Sequence, residues 1–204
     1  MNRVHQLLAL TLLGLACGAP LKFPITEKNT PSDYQKALGV IETAFYRLPQ
    51  RYQDALMTVL SGVPEDEMKK VNDILENFSF LGSEEKVSSE IKLQSPAFYA
   101  KLESFFPVLK ERFDTLNPEA KKFLETSYNS YKSVFTAALK TKKHPEVDRI
   151  VVETMDTSFS FMMMSDAAKA SLFGAYPEVL EFFKDPAVRD VVVKAYINII
   201  KKID

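Results

Sequence analysis

Cysteine is all but missing from this 204-residue chain: Cys17 is the one example, tryptophan is absent, and histidine occurs only as His5 and His144. Disulfide frameworks and thiolate metal sites are thereby excluded. A zinc site needs three or four closely placed nitrogen or sulfur ligands and cannot be assembled. His144 lies in Lys140-Thr141-Lys142-Lys143-His144-Pro145, a run with the composition of a solvated junction. Bases for nucleophilic catalysis are in short supply, and no G-x-S-x-G elbow, phosphate loop, dinucleotide fingerprint or EF-hand loop occurs. The chain therefore reads as a non-enzyme with no cofactor and no metal. Neither sign of charge prevails, with 26 Lys and Arg against 27 Asp and Glu interspersed along the chain. The electrostatic footprint of a nucleic-acid binder is lacking. No apolar run approaches the roughly 20 residues that cross a bilayer as a helix. Strand-like alternation never lasts beyond a few residues, which leaves an all-α class.

The opening stretch has the pattern of a secretory signal peptide: Arg3, an apolar run from Leu7 to Ala16, then the small residues Ala16-Cys17-Gly18. Residues 1–18 are expected to be the signal and 19–204 one helical domain of a secreted protein. Gly14 stands three positions before Cys17, where a lipoprotein signal would carry Leu. Cys17 is thus expected to leave with the signal, and core packing alone must hold the exported domain. Asn77-Phe78-Ser79 fits a glycosylation acceptor, a tripeptide that is also common by chance.

Proline marks the corners. Pro31, Pro49, Pro64, Pro96, Pro118, Pro145, Pro177 and Pro186 stand mostly just ahead of helical patterns, where the missing N–H costs nothing. Thr30, Ser95, Asn117 and Asp185 precede four of them as competent N-caps. The pattern predicts helices at 31–47, 49–61, 64–80, 84–93, 95–116, 118–140, 145–158, 166–174, 177–183 and 186–203. Gly62 and Gly82 sit where helices should stop. Pro107 should kink or split the helix around it. Ser83, Ser88 and Ser89 dilute the pattern over 80–94, which reads equally as a lid or a loop. Glu65-Asp66-Glu67 and Glu84-Glu85 fall in first helical turns, and Lys140, Lys142 and Lys143 at a helix end, as the helix dipole favours. The lysines alternatively form a weak patch for transient contact with anionic membrane surfaces. A faint repeat aligns Val40, Phe45, Leu48 and Leu56 with Val108, Phe113, Leu116 and Leu124. It also aligns Phe113, Leu116, Ala120 and Lys121 with Phe161, Met164, Ala168 and Lys169.

The densest apolar pattern runs from Ser95 to Leu139. Phe98, Leu102, Phe105, Leu109, Phe113 and Leu116 recur at steps of four and three, as do Ala120, Leu124, Ser127, Tyr131, Val134 and Ala138. Each set occupies one helix face, which predicts a hairpin with an aromatic inner surface. With 15 Phe, 8 Tyr and the triplet Met162-Met163-Met164, the chain can fill a core or line a cavity. Periodicity does not distinguish the two.

Three stretches carry a family likeness: Phe45-Tyr46-Arg47-Leu48, then SPAFYAKLESFFPVLKERFDTLNPEAKKFLE from Ser95, then LFGAYPEVLEFFKDPAVRDVV from Leu172. With the signal peptide, the L-x-P-E-A-K corner and the late Tyr-Pro turn, the chain resembles the nematode fatty acid and retinol-binding proteins over most of its length. It departs from them in its high Phe content, in Pro107 and in a longer central stretch. The resemblance implies a single compact domain of roughly eight to ten helices around an internal apolar cavity, binding fatty acids or retinol without catalysis. The expected wall comprises Phe98, Leu102, Phe105, Leu109 and Phe113 from one helix, and Phe123, Leu124, Tyr131 and Phe135 from the next. Arg47, Arg51 and Arg112 are candidate head-group partners, each readable also as an ordinary solvated arginine. The other class of function compatible with these residues is a secreted helical protein that engages a partner protein through an apolar helix face.

Overall fold

The computed structural model describes Lys36, Val40, Thr43 and residues 46–203. The expected signal peptide, the Thr30 cap and most of the helix expected at 31–47 lie outside them. The described residues are all-α: α1 Gln50–Leu60, α2 Glu65–Leu81, α3 Glu84–Gln94, α4 Pro96–Asp114, α5 Pro118–Thr141, α6 Val147–Met163, α7 Asp166–Ala175, α8 Pro177–Lys184 and α9 Pro186–Ile203. No strand occurs among them.

Proline and glycine set the limits as the sequence predicts. Pro96, Pro118, Pro177 and Pro186 each open a helix. Gly82 ends α2 at φ 82° and Gly62 follows α1 at φ 81°, conformations that cost a residue without Cβ nothing. The diluted segment forms the helix expected at 84–93, here α3. The Ser83 hydroxyl accepts from the Lys86 amide, Glu84 and Glu85 occupy the first turn, and Val87 and Ile91 are buried. One of the expected caps takes another form. The Ser95 side chain makes no cap bond to its own helix; its hydroxyl donates instead to Glu67 Oε2 at 2.9 Å, and the same oxygen accepts the Ala97 amide at 2.9 Å. Asn117 Oδ1 does accept from the Ala120 amide, and Asp185 Oδ1 from that of Ala187.

Pro107 neither splits nor ends α4, which runs on for seven residues beyond it. The proline is on the exposed side, where water can hydrate the carbonyl it leaves without a partner. Helix α6 runs five residues past its predicted end, into the methionine triplet. Serine weakens a helical pattern by competing for the backbone, but the Ser158 hydroxyl donates back to Thr154 O, four residues earlier, and stays within the helix.

The apolar residues form two clusters. The first joins α1 to α5: Met68, Val71, Ile74 and Phe78 of α2 pack with Val87 and Ile91 of α3, Phe98 and Leu102 of α4, and Ala138 and Leu139 of α5. The second joins two corners: Leu116 and Ala120 meet Met164, Ala168 and Leu172. Here the predicted repeat has physical content. Asn117 and Ser165 cap equivalent turns, accepting from the Ala120 and Ala168 amides. Lys121 donates to Asp114 O beside the Phe113 ring, and Lys169 donates to Met162 O beside the Phe161 ring. The two corners lock together where Glu119 accepts the amide and hydroxyl of Ser165, and where the Asn117 amide donates to Ser171 Oγ.

A candidate ligand site between two apolar clusters

Helices α4 and α5 follow one another, and each packs most extensively on other helices. Helix α4 rests on α3 and α2, whereas α5 rests on α2, α6 and α7. The two meet in the first cluster, which joins Phe98 and Leu102 of α4 to Ala138 and Leu139 of α5. Elements α2 and α3 hold them at one end through the first cluster. At the other end they are held by the Thr115–Asn117 corner and the second cluster.

This arrangement divides the nine wall candidates. Phe98 and Leu102 are fully buried in the first cluster, and Phe135 packs against it, its ring 5.6 Å from that of Phe78. Phe113, Phe123 and Leu124 pack against the second, where Phe123 lies 6.0 Å from Phe161. Phe105, Leu109 and Tyr131 belong to neither and are half-buried. Tyr131 turns towards α6, its hydroxyl 2.9 Å from Thr154 Oγ1. Burial along α4 thus declines from its first turns to its last, because α2 and α3 cover only its N-terminal half.

The helical pattern passed over one residue in this middle zone. Tyr128 is 4% exposed, yet it lies in neither cluster and its hydroxyl has no hydrogen-bond partner among the described residues. At 3.6 residues per turn, Lys121, Leu124, Tyr128, Phe135 and Leu139 fall within an arc of roughly 60° on α5. Both ends of this arc meet α4: Lys121 reaches the Asp114 carbonyl, and Leu139 shares the first cluster with Phe98 and Leu102. Tyr128 lies midway along this arc, with the Lys132 ammonium 5.9 Å from its ring. Burial, and after it the charge of Glu84, pushes its phenol up to about 12. Glu84 in turn is held by Lys132 at 3.4 Å and by the Thr136 hydroxyl at 3.1 Å. The signal was available in the sequence, since Tyr128 stands four residues after Leu124 and seven before Phe135.

Two of the three candidate arginines are held in ion pairs. Arg47 is exposed in the turn before α1. Arg51 pairs with Asp185 at the α8–α9 junction. Arg112 grips Glu178 with both guanidinium ends, at 3.0 and 3.2 Å, and lies 5.9 Å from the Tyr176 ring. That grip lowers the Glu178 carboxyl below its ordinary value, while burial raises the Tyr176 phenol. The Tyr176 hydroxyl makes a long 3.5 Å contact with the Leu109 carbonyl, which ties α8 to the less covered half of α4. Asn77 is exposed on α2 and donates to Asp73 O, whereas Phe78 and Ser79 of its tripeptide are buried. Among the described residues no cluster of His, Cys, Asp or Glu could hold a metal ion, and no helix is long and apolar enough to cross a membrane.

Residues 49–195 match the family described as nematode fatty acid retinoid binding protein (Gp-FAR-1). The chain is also 21% identical over 188 residues to fatty-acid and retinol-binding protein 1 of Caenorhabditis elegans, a match covering 90% of this chain and 96% of that one. No solved structure matches.

Proposed function

Since the chain belongs to the nematode fatty acid and retinoid binding family, we propose that it is a secreted, non-catalytic carrier whose ligand lies between the two apolar clusters. The observation that supports this reading is the division of the apolar residues into two clusters, with Phe105 and Leu109 of α4 half-buried and belonging to neither. An acyl chain or ionone ring entering there would remove apolar surface from water at about 25 cal/mol per Å². Phe113, Phe123, Leu124 and Phe135 border the space from the cluster edges, while Phe98 and Leu102 serve as its floor. The apolar leader from Leu7 to Ala16 supports export.

Titration of the purified protein with a fluorescent fatty acid and with retinol tests the reading. A carrier gives a blue shift, saturation near one ligand per chain and displacement by oleate. Folded protein without saturable binding would overturn it.

One surface favours a transient contact with membranes as well. Phe80 is 56% exposed and stands edge-on to His144, at 5.9 Å. Lys140, Lys142 and Lys143, all exposed, follow one another beside it in the chain segment that ends at His144. An exposed aromatic ring near three lysines suits an anionic lipid surface, to which each lysine adds about 1 kcal/mol at low salt. Co-flotation with phosphatidylserine vesicles should occur and should fail for K142E/K143E. Equal flotation of both proteins would remove this contact from the proposal.

A further inference from the structure

We propose that the Tyr128 hydroxyl is the polar anchor of the ligand site, donating its hydrogen to the oxygen at the head of a bound lipid. This rests on the carrier reading and adds the atom that orients the ligand.

Buried hydroxyls are nearly always hydrogen-bonded, so one without a partner calls for a partner that the chain itself does not supply. The contrast lies within one turn of α5. Tyr131 donates to Thr154 Oγ1, whereas Tyr128, more deeply buried, has no hydrogen-bond partner among the described residues. Its neighbours along the same arc, Leu124 and Phe135, are apolar residues at the borders of the two clusters. A lipid lying between the clusters would pass directly by the phenol.

The phenol keeps its proton at any physiological pH, because burial and the nearby Glu84 charge both oppose ionisation. It is therefore a permanent donor. A carboxylate or an alcohol oxygen can accept from it equally well in geometry, and the surrounding charges are close to balanced. The Lys132 ammonium lies 5.9 Å from the Tyr128 ring and 3.4 Å from Glu84. Glu84 also accepts from Thr136, so its negative charge is engaged on both oxygens. A near-neutral surround admits a fatty acid and a retinoid alcohol at the same place, which a lone cation would not.

The test compares three probes: oleate, retinol, and diphenylhexatriene, which has no polar atom. In Tyr128→Phe the affinity for oleate and retinol should fall about five- to tenfold, the size of one lost hydrogen bond, with diphenylhexatriene binding unchanged. The thermal midpoint should hold or rise, since a buried hydroxyl without a partner has been removed. Unchanged affinity for all three probes, or a parallel loss of all three, overturns the anchor. If the unaltered protein binds none of them, the carrier reading falls and the anchor with it. Should Tyr128→Phe fail to fold, carbon-13 NMR of tyrosine-labelled unaltered protein decides. One ring Cζ signal should then move with oleate or retinol and stay with diphenylhexatriene; movement with none of them, or equally with all, refutes the anchor.

Discussion

Ser95, which precedes α4, donates its hydroxyl to Glu67 on α2, and the Glu67 oxygen that receives it also takes the Ala97 amide. The cap of α4 therefore belongs to another helix. This pairing fixes the start of α4 against α2 just where Phe98 enters the first cluster. Ser95 is fully buried, and this bond satisfies its hydroxyl.

Glu67→Ala should accordingly destabilise the fold by about 1–2 kcal/mol, because it removes two bonds to a charged acceptor at a helix start. Ser95→Ala should cost less, since the Ala97 amide keeps its partner. Urea denaturation of both variants checks the order. Equal costs would mean that the serine hydroxyl, and not the carboxylate, holds the corner.

The second cluster leads to a sharper mutational contrast. Ala120 and Ala168 are both wholly inaccessible to solvent and occupy equivalent places in the two interlocked corners. Replacing either by Leu should cost about 1–3 kcal/mol through overpacking. The double variant should depart from additivity, because both side chains enter one packed space. Thermal or urea unfolding of the single and double variants provides the cycle; strict additivity would show that the corners do not share their packing.

How much of this was legible beforehand follows from what each signal depends on. Corners depend on single residues, and Pro96, Pro118 and Gly82 mark theirs correctly. The repeat relating Phe113, Leu116 and Lys121 to Phe161, Met164 and Lys169 was visible for the same reason, as each corner reuses local geometry. The division of the apolar residues into two clusters was not legible. Periodicity shows which face of a helix is apolar but not what covers it, so Phe98 and Leu109 read alike although only the first is in a cluster. Tyr128 escaped notice because an apolar stripe is searched for its hydrocarbon, and the state of a hydroxyl depends on neighbours distant in sequence. Glu67 looked like an ordinary first-turn acid, since its second role depends on a helix some thirty residues later.

Two carboxyls should respond to pH in opposite senses. Glu178 is lowered from its ordinary 4.5, first by the hydrogen bond from Arg112. A lowered folded-state value adds stability above pH 4.5 that is lost as the pH falls through that lower value. Glu76 is raised from 4.5, mainly by burial and further by Asp73, so its ionised form opposes folding at neutral pH and ceases to do so in acid. Glu76→Gln should therefore stabilise slightly at pH 7 and lose that effect near pH 4. Arg112→Met should be slightly destabilising at pH 7 and neutral well below pH 4, as expected for an exposed pair. Unfolding midpoints at the two pH values check both signs.

Leu102 and Leu109 share one face of α4, yet their substitution should separate stability from binding. Leu102 is buried in the first cluster, and Leu102→Ala should cost about 2–5 kcal/mol through the cavity it leaves. Leu109 is half-buried and beyond either cluster. An arginine there can extend its charge towards solvent, so Leu109→Arg should fold with a midpoint close to that of the unaltered protein. Its stem and charge would nevertheless occupy and polarise the proposed ligand site, and saturable binding of oleate, retinol and diphenylhexatriene should all be lost. The measurement pairs far-UV melting with the three titrations. A folded Leu109→Arg that still binds lipid would move the site away from the α4–α5 interval. An unfolded one would show that Leu109 belongs to a closed core, with the space between the helices filled by the chain itself.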